Sequence, residues 1–541
     1  MPLPDRRQLP GLRYPAAALA GVALGLSWQP FGWWPLLAVS IPAFTLLVRA
    51  QPPRRAFGLG YLFGLGLLTV AVGWLHVLGL WVAALLILFE ALFFGVLGVV
   101  LSLLARLRWW PLAAAAAWVL VEYAYARVPL GGFGWVRLAY AAVDTPLAGF
   151  LPVIGVAGLS FVVALMAQLL GWAAWTWWSA RGTRPGRRLR PLLAAGAAVA
   201  VLLVVPTGLR HYQVEPKQTA AGEVNVGIVQ GNIPGRGIEA MGRARSVTNN
   251  HLSETVDLLT RVRLGQERQP DFLLWPENST DIDPTVDPVT RLTVDAAAQL
   301  AGRPILVGAV MRGPGEGERQ TSALWWQPGR GPQARYDKQN LVPFGEWIPF
   351  RDQLKPLVPI LERVGAQSVP GTAPGVLEVD LGGRVVKLGD VICFELAYDE
   401  TVYDAVRGGA QVLLVQSNNA TYGGTGQIEQ QFAITRARAM EARREVAVAT
   451  TNSVSGFIDR DGRVVHRTAE FTADSLVVSM PLRSALTPAL SVAPWLERGL
   501  AALAGLAVVA AIASGRRTRS ADGEAEVPAP AGPAPAVEKV S

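Results

Sequence analysis

The chain has 541 residues, 51% of them hydrophobic and only 17% charged, with a formal net charge of +8. That balance excludes an ordinary soluble protein and a disordered one. The basic excess does not point to nucleic acid, because the arginines gather in short loops between apolar segments, and a single cysteine excludes any intrachain disulfide.

In chain order, residues 1–207 hold only four acids, Asp5, Glu90, Glu122 and Asp144, but thirteen of the eighteen tryptophans. A bilayer crossing takes about 20 mostly apolar residues. Runs of that kind lie at 14–32, 33–50, 56–76, 78–104, 109–127, 151–178 and 191–207, and an eighth follows a long polar insert, at 490–514. Arg6 and Arg7 before the first run imitate a signal peptide, but a second run follows at once, so the first is expected to stay as a helix. Alternate connections carry sixteen arginines on one side against Arg127 and Arg137 on the other. Positive residues stay in the cytoplasm, so both termini are expected there and residues 208–489 outside. Glu90 and Glu122, within the fourth and fifth runs, read first as hydrogen-bonding partners in helix packing, while Glu122, near the outer end of its run, is also close enough to border a substrate entrance.

The insert alternates two patterns. Short apolar runs, "VNVGIVQ" (224–230), "FLLWPE" (272–277), "PILVGAV" (304–310), "VVKLGDVICFE" (385–395), "QVLLVQSN" (411–418) and "VAVATTN" (446–452), predict buried strands. Helical patterns lie at about 243–264, 287–301 and 427–444. Together they predict an α/β domain with layered sheets. The expected organisation is a membrane domain of seven helices (1–207), an extracytoplasmic domain (208–489), an eighth helix (490–514) and a disordered cytoplasmic tail (515–541) rich in Pro, Ala and Glu.

Three strand exits carry reactive side chains. "FLLWPENS" ends in Glu277, "YDKQNLVPFGEW" supplies Lys338 and Glu346, and "GDVICFE" supplies Cys393 and Glu395. Ligands gather at the carboxyl ends of strands in α/β folds, so these ends can meet. A lone cysteine is most often a small buried hydrophobe, and a lone Glu or Lys most often a surface ion pair. The joint pattern points elsewhere: an acid that takes the thiol proton and a cation that favours thiolate and oxyanion suffice for acyl transfer through a thioester. The four histidines, His76, His211, His251 and His466, are scattered without metal-ligand spacing, so no metal or other cofactor is expected.

On "WPE", "K…LVPFGE" and "ICFE", in that order, the insert resembles the nitrilase (carbon-nitrogen hydrolase) superfamily, whose members use a Glu-Lys-Cys triad. With its membrane frame, and with "VQGNIP" at 229–234 and "SNNATYG" at 417–423, the chain to about residue 514 resembles the apolipoprotein N-acyltransferase family. The resemblance implies an αββα sandwich outside an eight-helix membrane frame, in the inner membrane of a bacterium. It implies Cys393 as nucleophile, Glu277 as general base and Lys338 as oxyanion stabiliser, with Glu346 supporting the lysine or thiol and Glu395 holding the loop. It also implies a membrane phospholipid as acyl donor and the α-amino group of a diacylglyceryl-modified prolipoprotein as acceptor, in a monomer. Two departures stand out: "GRGIEAM" follows "VQGNIP" where the family often has a tryptophan, and Phe394 follows the cysteine where tyrosine is common.

A soluble nitrilase needs no bilayer. The stretch "FGEWIPFRDQLKPLVPILERV" (344–364), around Glu346, reads either as ordinary core or, next to a reactive site, as a candidate lip in which Phe344, Trp347, Ile348 and Phe350 dip among acyl chains. Two other readings compete: a membrane-tethered amidase acting on small amides, for which one helix would serve, and a transporter or sensor with an external ligand-binding domain. The second wants broken helices or several ionisable groups within the spans, and the sequence offers few.

Overall fold

The computed structural model describes residues 11–180, 185–209, 222–233, 245–356 and 359–524. The "GRGIEAM" segment, the last residue of "VQGNIP", Leu357 and Val358 of the apolar arm, and residues 525–541 of the tail lie outside the described residues.

Helices stand at all eight apolar runs: α1 (Arg13–Gly25), α2 (Leu37–Val48), α3 (Pro53–Ala71), α4 (Leu80–Leu104), α5 (Trp110–Tyr125), then, after a short α6 (Leu138–Ala141), α7 (Leu151–Ser179), α8 (Pro185–Leu209) and finally α14 (Pro488–Glu524). Among the described residues, four segments, 80–104, 146–179, 189–209 and 488–514, are long and apolar enough by themselves to cross a membrane. The first two runs were expected to span, yet α1 has 13 residues and α2 has 12. The cause is local: α1 gives way to "SWQPFGWWP", whose prolines lack a backbone donor, before α2 begins. At the other end α14 runs on to Glu524, past the predicted boundary at 514.

Two sheets make up the insert. The first runs β13–β1–β2–β3–β4–β5, from β1 (Glu223–Gln230), β2 (Phe272–Leu274), β3 (Ile305–Arg312), β4 (Glu318–Gln327), β5 (Gly331–Asp337) and β13 (Asp474–Pro481), with β6 (Gln367–Ser368) beside β4. The second runs β12–β11–β10–β9–β8–β7, from β7 (Val376–Asp380), β8 (Val385–Ile392), β9 (Val412–Ser417), β10 (Val446–Thr450), β11 (Gly456–Ile458) and β12 (Val464–Arg467). β1–β2–β3 and β8–β9–β10 are parallel, and the outer strands return antiparallel. The parallel strands are those with continuous apolar runs, as burial on both faces requires.

One core joins the sheets: Val226, Ile228, Phe272 and Trp325 of the first pack with Leu388, Ile392, Leu414 and Ala447 of the second. Helices α9 (Ser246–Arg263) and α10 (Pro288–Ala301) cover the other face of the first sheet, and a single turn, α11 (Arg351–Leu354), lies in the apolar arm. Against the second sheet lie α12 (Asp399–Arg407) and α13 (Gly426–Ala442), and here the packing does not stop at the domain edge. Val391, Val415, Val402, Ile434 and Phe432 belong to the same hydrophobic cluster as Phe63, Trp118, Trp135 and Leu159 of the membrane part. The membrane helices and the second sheet therefore share a core through α13. Within α7 the backbone breaks at Gly155 (φ 68°), where a β-carbon would meet the Glu441 carboxylate at 2.8 Å. The buried Val156 N–H next to that break donates to Glu441 of α13 at 2.9 Å.

Candidate active site

Three chain segments bring their polar side chains to one place, each just beyond the carboxyl end of a strand. Glu277 follows β2, Lys338 follows β5 and Cys393 follows β8. The first of these exits needs a close approach: a β-carbon on Gly308 of β3 would lie 2.2 Å from the Pro276 carbonyl oxygen, so only glycine lets the "WPE" segment lie there.

Lys338 is 2% exposed and donates from Nζ to Oε1 of Glu277 at 2.9 Å and to Oε1 of Glu346 at 3.0 Å. Burial alone would lower its pKa, but those two carboxylates and the thiol beside it hold it well above the ordinary lysine value. It is a permanent cation. The other oxygen of Glu277 accepts the Asn418 N–H at 2.7 Å, and that of Glu346 accepts the Val342 N–H at 2.7 Å. Both carboxylates are thus fixed from two sides.

Cys393 is partly exposed and adopts φ 54°, a left-handed conformation that a non-glycine residue holds at a cost of about 1–3 kcal/mol. It opens a single 3-10 turn, Cys393–Ala397, and its Sγ lies 3.8 Å from Oδ1 of Asn419. Burial first, then the Glu277 charge, pushes the thiol up to about 12, against the pull of Lys338. At neutral pH the sulfur carries its proton, so nucleophilic use requires a base at hand, and among the nearby carboxylates the charge of Glu277 acts most strongly on the thiol.

Glu395 lies beneath the turn. It accepts from the Ile392 N–H at 2.8 Å, the Gln339 N–H at 2.6 Å and the Tyr336 hydroxyl at 2.9 Å, tying the cysteine's turn to the segment after Lys338. Phe394 points the opposite way, its ring stacked on Trp135 at 5.9 Å and Phe133 at 6.0 Å, both from the membrane part. The candidate lip divides. Phe344 and Phe350 are exposed, and Trp347 is half-buried. Ile348 does not belong to a lip: it is 2% exposed, because Gln367 grips both its N–H and its carbonyl at 3.2 Å and turns the arm inward there.

Residues 20–169 match the family described as apolipoprotein N-acyltransferase N-terminal domain, and residues 276–485 match carbon-nitrogen hydrolase. A protein of Mycolicibacterium smegmatis named apolipoprotein N-acyltransferase is 36% identical over 506 residues, 91% of this chain and 84% of that one. The chain belongs to the apolipoprotein N-acyltransferase family. Proteins of that name from Azotobacter vinelandii (29% identical; 90% of this chain, 93% of that one) and Pseudomonas paraeruginosa (30%; 93% and 96%) are similar over nearly their whole lengths. Among solved structures, an amidase of the nitrilase superfamily from Nesterenkonia AN1 is similar at 17% identity with a TM-score of 0.38, over 51% of this chain and 97% of that one.

For this acyltransferase-family chain, sequence reasoning named the charged groups of the site but not the uncharged residues that hold them. Ser417 donates to Oδ1 of Asn419 at 3.0 Å and accepts from Gln431 at 2.7 Å, and Asn418 fixes Glu277. These belong to "SNNATYG", whose run of small polar residues directly after an apolar strand was the available signal. A second group went unnamed: Arg137, Arg438, Glu441 and Glu497, buried where the membrane helices meet α12 and α13, with the partly exposed Asp399 between the two arginines. Its signal was faint but present, since Arg127 and Arg137 are the two arginines that break the charge asymmetry of the loops. Both are paired with Glu497, at 2.6 and 2.9 Å.

Proposed function

We propose that Cys393 attacks the ester carbonyl of a membrane phospholipid and passes the acyl group to the α-amino group of a diacylglyceryl-modified prolipoprotein. The observation that carries this is the placing of one buried ammonium, Lys338, between Glu277 and Glu346 beside the chain's single thiol.

Glu277 takes the thiol proton as the sulfur bonds to the ester carbon, and Lys338 holds the oxyanion. The ester C–O bond then breaks, and Glu277 returns the proton to the departing lysophospholipid oxygen. In the second half the amine nitrogen bonds to the thioester carbon and the C–S bond breaks. Glu277 accepts the amine proton and hands it to the thiolate. The two substrates use one site in turn, which is ping-pong chemistry. Glu346 keeps the lysine aimed, and Glu395 keeps the cysteine's turn in place.

The catalytic unit, 208–489, is an αββα sandwich held outside the cytoplasm of a bacterial inner membrane by eight helices, seven in 1–207 and one at 490–514. Both termini, the second with the tail 515–541, are cytoplasmic, and the protein works as a monomer. The exposed rings of Phe344 and Phe350 sit at the acyl-chain boundary. A thiol at that height reaches the ester without lifting lipid into water, at about 0.8 kcal/mol for each methylene exposed. The test is mass spectrometry of the purified protein after incubation with phospholipid: an acyl adduct on Cys393, released by hydroxylamine, is expected. An adduct that persists in Cys393→Ala sinks the assignment.

A further inference from the structure

Behind the turn that carries Cys393 lies a second buried cluster of charge. Arg137, on the loop between α5 and α6, is 2% exposed and donates to three carboxylates from three elements: Glu122 of α5 at 3.4 Å, Asp399 of α12 at 2.8 Å and Glu497 of α14 at 2.9 Å. The other oxygen of Asp399 accepts from Nη2 of Arg438 on α13 at 2.6 Å. Arg438, fully buried, gives its Nη1 to Glu441 at 2.6 Å and its Nε to the Leu396 carbonyl at 2.9 Å. Leu396 lies within the turn Cys393–Ala397. An unbroken chain of charge-assisted hydrogen bonds thus runs from two membrane helices to a carbonyl in the nucleophile's own turn.

Packing alone does not call for this cluster. Burying several ions at an interface is costly, and apolar side chains of similar volume would often hold it as well. What ions supply is direction: a guanidinium is a planar fork with fixed donor angles. Direction matters here because Cys393 sits in a left-handed conformation that persists only when its surroundings over-determine it. The loop that carries Arg137 also supplies Trp135 and Phe133, on which Phe394 stacks. The membrane part therefore reaches the turn at two points, directly at the ring of Phe394 and, through Asp399 and Arg438, at the carbonyl of Leu396.

We infer that Arg137 is a positioning residue, which through Asp399 and Arg438 locks the Cys393 turn to the membrane frame and so sets the direction of the sulfur. The inference rests on Cys393 being the nucleophile. It makes the membrane helices part of the active site's geometry and not only its anchor.

Because Cys393 is the chain's only thiol, iodoacetamide reports on it alone in the intact protein. In Arg137→Met, single-turnover acylation of Cys393 at saturating phospholipid is expected to fall about 10- to 100-fold, the scale of a misplacement near 1 Å. The lipid concentration for half-maximal rate should change much less. The pH–rate curve of alkylation should shift, and Arg137→Lys, which keeps the charge but not the fork, should recover only part of the rate. If Arg137→Met merely yields fewer folded molecules, each with the wild-type acylation rate constant and alkylation curve, the inference is overturned. Should Arg137→Met fail to fold, Asp399→Asn, nearly the same shape, is read in the same way, and unchanged rate constants there overturn it equally. Acyl transfer surviving in Cys393→Ala would instead overturn the nucleophile assignment, so the two failures are distinct.

Discussion

Two buried clusters of charge flank one short turn, and they use the same kinds of residue to different ends. In the Glu277–Lys338–Glu346 cluster a single cation is shared by two carboxylates, and a thiol that must lose a proton sits beside them. In the Arg137–Asp399–Arg438 cluster guanidiniums meet carboxylates from both sides, and the hydroxyl of Tyr403 adds a further donor to Glu441. Burial alone would push Asp399 up, yet Arg137 and Arg438 hold it well below the ordinary carboxylate range. Asp399 is locked in one protonation state, whereas the thiol, pushed up to about 12, sits far from its charged form and close to a base. A buried cluster with one group left to titrate can do chemistry. A cluster whose members are all paired can only hold shape.

That contrast can be broken in several ways. The largest effect belongs to Cys393→Ala, which should abolish both the acyl adduct and transfer to a lipoprotein amine. Next, Glu277→Gln and Lys338→Met should each slow acylation by about 10²- to 10⁴-fold, measured in a single turnover, as expected for loss of a general base or an oxyanion donor. In the second cluster Arg438→Met should act first on stability, by about 3–5 kcal/mol in thermal or denaturant unfolding in detergent, because it strands buried carboxylates. An Arg438→Met protein as stable as the parent would show that the two clusters are not different in kind.

A sharper test separates the reactivity of the thiol from catalysis. The Glu277 charge raises the thiol's pKa and Lys338 lowers it. Glu277→Gln should therefore move the pH–rate curve of iodoacetamide alkylation to lower pH while acylation falls, and Lys338→Met should move the curve to higher pH. Both rates falling together in Glu277→Gln would argue against its role as base. The smallest effect should come from Phe350→Ser, which removes an exposed ring 74% open to its surroundings. The lipid concentration for half-maximal acylation should rise a few-fold, with alkylation unchanged.

Much of this molecule was readable in one dimension. Apolar runs marked the four described helices that are long and apolar enough to cross a membrane, because hydrocarbon demands such runs, and the parallel strands β1, β2, β3, β8, β9 and β10 showed as continuous apolar stretches because both their faces are buried. Glu277 and Cys393 were legible because each follows such a strand, whereas Lys338 follows β5 and stood out only through "YDKQNLVPFGEW"; strand direction gathers the three ends at one edge. The antiparallel strands β4, β5, β7, β11, β12 and β13, short or partly exposed and mixed in composition, left no comparable mark. Whether α1 and α2 are long enough to cross a bilayer also escaped the composition of their runs, since prolines between them set the ends. Tertiary structure alone decided that Ile348 turns inward while Phe350 stays out, and that Arg137, Asp399, Arg438 and Glu497 meet. Those four come from segments up to 360 residues apart, and a lone Arg or Asp looks the same in a string whether it ends in water or in the core. A periodic pattern records a face that must be buried. A salt bridge across that distance records only where the chain has already gone, which no local pattern carries.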